Sequence, residues 1–201
     1  MPNFSRQALN LPPETHPDVE TVLFPSRIIA QRVASLGGII TNDYTALGAH
    51  ELTLVGIANG AVVFMADLLR QIRIHTRIDT VRVSSYQDAD SPVTHPQMHA
   101  TNRLALSRRH ILLVDDILDT GNTLAFLKAE LQKQAPASLR TCVLLDKKGR
   151  RQAAFDAEYT GFVIPDVFVV GYGLDFAERY RNLPFVGVLK RECQNAAAFA
   201  S

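Results

Sequence analysis

Tryptophan is absent from the 201 residues, and an excess of either charge is absent too, because 21 Lys and Arg face 20 Asp and Glu for a net charge of +1. That balance gives no overall pull toward a polyanion or an anionic membrane, so any anionic ligand must be held by local features. Cysteine is scarce. Cys142 in an apolar run and Cys193 near the end form neither a disulfide framework nor a metal-ligand cluster, which fits a reducing compartment. His16, His50, His75, His95, His99 and His110 show no metal-ligand spacing. No run approaches the roughly 20 apolar residues that a spanning helix needs. The opening MPNFSRQALNLPPETHPDVE has no basic patch followed by an apolar stretch. These absences predict a cytoplasmic protein with neither a membrane nor a nucleic-acid partner. Repeats and low-complexity segments are also missing.

What is present is an apolar fraction of 47% with 20% charged residues, the composition of an ordinary folded protein, in a chain long enough for one substantial core. Pro2, Pro12, Pro13 and Pro17 among polar residues predict an irregular N-terminal arm over 1–17, followed by a single domain over 18–201. From Ser26 to Leu36 the apolar spacing is helical, behind a serine suited to capping and ahead of Gly37-Gly38.

The apolar run Leu52–Ala58, the turn Asn59-Gly60 and the helical pattern Val62–Ile74 predict a strand, a turn and a helix. Thr80–Tyr86 alternates as a strand does, then gives way to a polar loop over Gln87–Gln97 with Pro92 and Pro96. A third strand, Ile111–Val114, runs into acids and then a helix over Thr123–Gln134, stopped by Pro136. Further short strands are expected at Arg140–Leu145, Val167–Val170 and Phe185–Leu189. Strands alternating with helices predict an α/β fold with a mainly parallel central sheet.

The densest chemistry lies in ILLVDDILDTGNT, residues 111–123. In a parallel sheet, ligands bind beyond the carboxyl ends of the strands, where Asp115, Asp116 and Asp119 are expected to lie. Crowded carboxylates repel unless a hard cation or a polyhydroxyl ligand engages them, and Mg2+ chelated by a sugar diphosphate answers both needs. Thr120-Gly121-Asn122-Thr123 adds free amides, hydroxyls and a glycine at a helix start, which suits a phosphate. Acids before a helix also serve simply as caps; that accounts for one or two of these residues rather than the whole run.

This segment resembles the 5-phosphoribosyl-1-diphosphate signature of type I phosphoribosyltransferases. From about Asp18 to Leu189 the chain is similar to the hypoxanthine-guanine phosphoribosyltransferases. The resemblance implies the type I fold, with a small hood and a mobile active-site loop. It implies Asp115 and Asp116 on the ribose hydroxyls and the metal, and Asp119 as general base or acid near the purine N7. Asp119 with Thr120, Gly121, Asn122 and Thr123 would bind the 5′-phosphate. Diphosphate would fall to Asn59 and Gly60, to Ser85 and Tyr86 at the start of the mobile loop, and to Arg181. Ala58-Asn59-Gly60 stands where the family usually carries Leu-Lys-Gly, often with a cis peptide, so the usual cation is missing from that turn.

Leu144-Leu145-Asp146-Lys147 and the stretch Ile164–Asp175 resemble the base pocket. They imply Lys147 on the purine O6, Phe168 stacked on the ring, Val169 at the base edge, and Asp175 beside the purine and a second Mg2+. A lysine donor at O6 matches hypoxanthine, guanine or xanthine, while adenine carries an amino group there. Without the pocket motif, Lys147 would be expected to be solvated in the basic cluster Lys147-Lys148-Arg150-Arg151, and Phe168 to be a core aromatic. The implied activity is transfer of 5-phosphoribosyl from its diphosphate to N9 of a 6-oxopurine in purine salvage, by a homodimer or homotetramer. The alternative is a regulatory protein on the same fold that senses phosphoribosyl diphosphate and binds nucleic acid.

Overall fold

The computed structural model describes residues 14–87, 94–100 and 106–195, and only the backbone over 84–87 and 94–100. Its main sheet holds six strands: β2 (Glu51–Ile57), β3 (His75–Gln87), β4 (Thr94–Ala100), β5 (His110–Leu118), β6 (Ser138–Asp146) and β7 (Tyr159–Val163). Their order is β4-β3-β2-β5-β6-β7, with β3, β2, β5, β6 and β7 parallel and β4 antiparallel to β3.

Alternation along β5 divides the core. Leu112 and Val114 join Ile29, Leu36, Phe64 and Leu68 of α1 (Ser26–Ala46) and α2 (Ala61–Leu69) on one face. Ile111 and Leu113 join Leu124, Leu127 and Leu131 of α3 (Asn122–Gln132) on the other. Side chains of period two thus find apolar partners on both faces, which is why the central strands read as unbroken apolar runs. A second, antiparallel sheet of order β1-β9-β8 forms the hood, from β1 (Val19–Phe24), β8 (Val169–Val170) and β9 (Val186–Leu189). Among the described residues, no helix is long and apolar enough to cross a membrane.

Several elements depart from their predicted limits. Helix α1 does not stop at Gly37-Gly38 but runs to Ala46. Gly37 serves helix packing instead: a Cβ there would lie 2.3 Å from the Cβ of Gln71. Ser26 is not the cap either; Pro25 holds that position, and the Glu14 carboxylate accepts the Ser26 amide at 2.8 Å. Helix α2 ends at Leu69 rather than Ile74, and β3 begins at His75 rather than Thr80. Part of the expected loop 87–97 is strand, because β4 returns along β3 with Tyr86 opposite His95. The centre of that loop, 88–93, and the first 13 residues of the N-terminal arm lie outside the described residues, as do the side chains of Ser85 and Tyr86.

From β2 the chain continues to β3 on one side and later crosses to β5 on the other. The crevice between the carboxyl ends of β2 and β5 is therefore a topological switch point, where open parallel sheets bind ligands.

Candidate active site

Pairing between β2 and β5 ends at Gly56 and Val114, while β5 continues along β6 to Leu118. Beyond Val114 one edge of β5 is thus freed, and the residues on it are Asp115 and Asp116. Across the crevice, the turn after β2 approaches so closely that a Cβ on Gly60 would lie 2.0 Å from Asp116 Oδ2. The Ala58–Asn59 peptide is cis, the feature that the resemblance associates with this turn.

Burial pushes the Asp115 carboxyl well above the usual carboxylate range, and the neighbouring Asp116 charge adds to the shift. Burial also raises Asp116, against hydrogen bonds from Asp115 and backbone amides and the positive field of Arg181. Two hard oxygen donors that ionise reluctantly side by side suit a divalent cation. Among the described residues no group of three or more His, Cys, Asp or Glu is placed to hold a metal. The donor set therefore fits an ion that takes its remaining oxygens from ligand and water, as Mg2+ commonly does.

Asp115, Asp116, Asp119, Thr120, Gly121 and Thr123 line a cavity of about 260 Å³. Gly121 takes φ +85°, a left-handed conformation that glycine adopts without a steric cost, and this brings the chain into α3. Gly121 gives α3 no side-chain cap, and the Asn122 amide makes only a long 3.5 Å hydrogen bond to Thr120 Oγ1, so the helix start is suited to a ligand. Asn122 is exposed, does not line the cavity, and donates its side-chain amide to Gln152 Oε1 at 3.0 Å. Asp119 Oδ1 is buried without a hydrogen bond; Arg150 Nε lies 3.3 Å away, an ion pair lacking hydrogen-bond geometry.

Lys147 is 6% exposed, unlike its neighbours Lys148 and Arg150, so it does not belong to a solvated cluster. Its amide donates to the Leu118 carbonyl at 2.9 Å, which places it directly beside the acidic strand end. Phe168 is 39% exposed and meets Phe176 edge to face at 5.3 Å. The ring is thus partly open to solvent rather than enclosed in a core. Val169 is buried in β8. Asp175 and Arg181 pair with each other at 2.9 Å, and Arg181 also donates to the Gly173 carbonyl at 2.8 Å.

Comparisons with known proteins place the chain in a family. A family model for the phosphoribosyl transferase domain matches residues 22–177. The hypoxanthine-guanine phosphoribosyltransferase of Staphylococcus epidermidis is 42% identical over 177 residues, covering 88% of this chain and 97% of that protein. The chain belongs to this family. The hypoxanthine phosphoribosyltransferase of Salmonella typhimurium is 41% identical over 83% of the chain and 93% of its own length. Among solved structures, the hypoxanthine phosphoribosyl transferase of Trypanosoma cruzi matches with a TM-score of 0.86 at 34% identity, covering 94% of this chain and all of that one. The hypoxanthine phosphoribosyltransferase of Staphylococcus aureus matches at 0.81 and 39%, over 89% and 95%.

Three residues with no role assigned from the sequence stand at the site. Arg82 on β3 donates to Asn59 Oδ1 at 3.1 Å and so brings a cation to the turn that lacks one. Arg150 and Arg151 reach Asp119 from 31 and 32 positions downstream. A basic residue beside a strand end is the only signal the sequence holds for any of them, because their partners are set by strand order.

Proposed function

We propose that the chain transfers 5-phosphoribosyl from 5-phosphoribosyl-1-diphosphate to N9 of hypoxanthine or guanine, releasing diphosphate. The observation that carries this is the cavity between the paired carboxylates Asp115 and Asp116 and the start of α3, with buried Lys147 hydrogen-bonded through its amide to Leu118 of the cavity lining. The activities named for the relatives support it.

In this reading, Thr120, Gly121 and Thr123 hold the 5′-phosphate against the open helix start, and Asp115 and Asp116 hold the ribose hydroxyls. Asp115 and Asp116 would hold one Mg2+ and Asp175 a second, and the metal would supply positive charge against the leaving diphosphate. As diphosphate departs, positive charge grows on the ribose, and the nearby carboxylates stabilise it electrostatically. Asp119, whose Oδ1 has no hydrogen bond, takes the proton at N7. Lys147 donates to O6, Phe168 stacks on the ring, and Val169 meets the base edge. Adenine, which would set an amino group against the ammonium, is expected to be a poor substrate. Asn59, Gly60, Ser85, Tyr86 and Arg181 receive the diphosphate, with Arg82 supplying the charge absent from the turn.

Residues 18–201 act as one catalytic unit in the cytoplasm, assembled as a dimer or tetramer. No observation favours the nucleic-acid-binding alternative. The test is to incubate purified protein with Mg2+, phosphoribosyl diphosphate and each of hypoxanthine, guanine, xanthine and adenine, following nucleotide formation by chromatography. Nucleotide from a 6-oxopurine is expected; no product from any of them would overturn the proposal.

A further inference from the structure

We propose that Arg151 is the positioning residue of the 5′-phosphate turn, a role that rests on the functional reading above. Leu118 and Asp146 are paired in register, so the segments leaving β5 and β6 start side by side. Arg151 ties them together. Its Nη1 donates to the Asp119 carbonyl at 2.6 Å, and its Nη2 pairs with the Asp146 carboxylate at the end of β6. The two side chains are 16% and 4% exposed, and at such depth a charge-assisted guanidinium fork is both strong and selective in geometry.

The residues that follow extend the contact. The amides of Gln152 and Ala153 both donate to the Thr120 carbonyl, at 2.9 and 3.0 Å. Gln152 Oε1 accepts from Asn122. The turn lies so close that a Cβ on Gly121 would come within 3.1 Å of Arg151 Cδ.

In a trans peptide the carbonyl and the following N–H point in opposite directions. Holding the carbonyls of Asp119 and Thr120 toward residues 151–153 therefore turns the N–H groups of Thr120 and Gly121 away from them. Among the described residues neither amide donates to a protein acceptor. Both residues line the cavity, and aligned free amides of this kind are suited to an anionic oxygen. Arg151 thus acts without touching the substrate: it sets the direction of the amides that do.

The test compares, by titration calorimetry, binding of a 6-oxopurine nucleoside 5′-monophosphate with binding of the same nucleoside lacking the phosphate. Arg151→Lys keeps a charge beside Asp146 but replaces the fork with a single ammonium, which cannot hold both acceptors in the same geometry. The expected result is nucleotide binding weakened about tenfold, with nucleoside binding and melting temperature close to wild type. The double variant D146L/R151M removes the buried pair as a unit, leaves no lone charge to unfold the chain, and is expected to show the same phosphate-selective loss. Unchanged nucleotide binding in either folded variant would overturn the proposal. Equal weakening of nucleotide and nucleoside would overturn it too, by making Arg151 a purely structural residue. Failure of the wild-type protein to bind nucleotide would instead remove the functional reading on which the proposal rests.

Discussion

Asn59 and Arg82 show how one position can hand its chemistry to another. The turn after β2 has no cation of its own, and Asn59 Oδ1 instead accepts a hydrogen bond from Arg82, seven residues into β3. Both side chains are exposed, so the contact itself adds little stability. Under the proposed function it would deliver a guanidinium, a group that can grip diphosphate oxygens in a bidentate manner. Arg82→Ala is expected to raise KM for diphosphate in the reverse reaction by about tenfold while leaving KM for the nucleotide within about twofold. Steady-state kinetics with each substrate varied in turn would check this, and equal effects on both would place Arg82 outside diphosphate binding.

At the scale of elements, the site is a crevice between two strand ends held at a fixed separation by a glycine. Gly60 is that glycine, because the space its side chain would occupy already contains the Asp116 carboxylate. Gly60→Ala must displace either the turn or Asp116, and forced overpacking of this kind costs roughly 1–3 kcal/mol. The site is expected to absorb that displacement, since β2 itself is packed on both sides by β3 and β5. The expected outcome is a folded protein with a near-normal melting temperature and at least about a hundredfold loss of kcat/KM, because small misplacements of reacting groups are costly. Circular dichroism melting beside an activity assay would decide the point.

Taken as a whole molecule, the protein concentrates its electrostatic cost at the site. Asp115 and Asp116 have folded-state pKa values above their ordinary ones, raised first by burial and, for Asp115, next by the Asp116 charge. The fold therefore binds these protons more tightly than the unfolded chain does. Their contribution is fully favourable below the ordinary carboxylate range near pH 4 and is lost as pH rises through the raised values. Without ligand, Asp115→Asn is expected to melt higher than wild type at pH 7, with the difference shrinking toward pH 4. Each unit of raised pKa corresponds to roughly 1.4 kcal/mol. Mg2+ with phosphoribosyl diphosphate is expected to raise the wild-type melting temperature at pH 7 and to have much less effect on the variant. Calorimetric melting across pH, with and without both ligands, measures all of these together.

Much of this protein was legible in the sequence because its signals are local. The apolar run 111–114, the acids that follow it, Gly121 and the start of α3 lie within about a dozen consecutive residues, so strand, turn and helix start could be read without knowing any long-range contact. The α/β class followed from the alternation of such units. Other features escaped because their causes are distant in the chain. Gly37-Gly38 looks like a helix stop, yet it lies inside α1 because Gln71 packs against Gly37. Lys147 looks like one of four solvated cations, yet the pairing of β6 between β5 and β7 buries it and leaves Lys148 exposed. Arg82 finds Asn59, and Arg150 and Arg151 find Asp119, only through strand order and register. A local sequence determines which groups stand at the end of a strand, whereas the sheet alone decides which strand ends are neighbours, and so which charges meet.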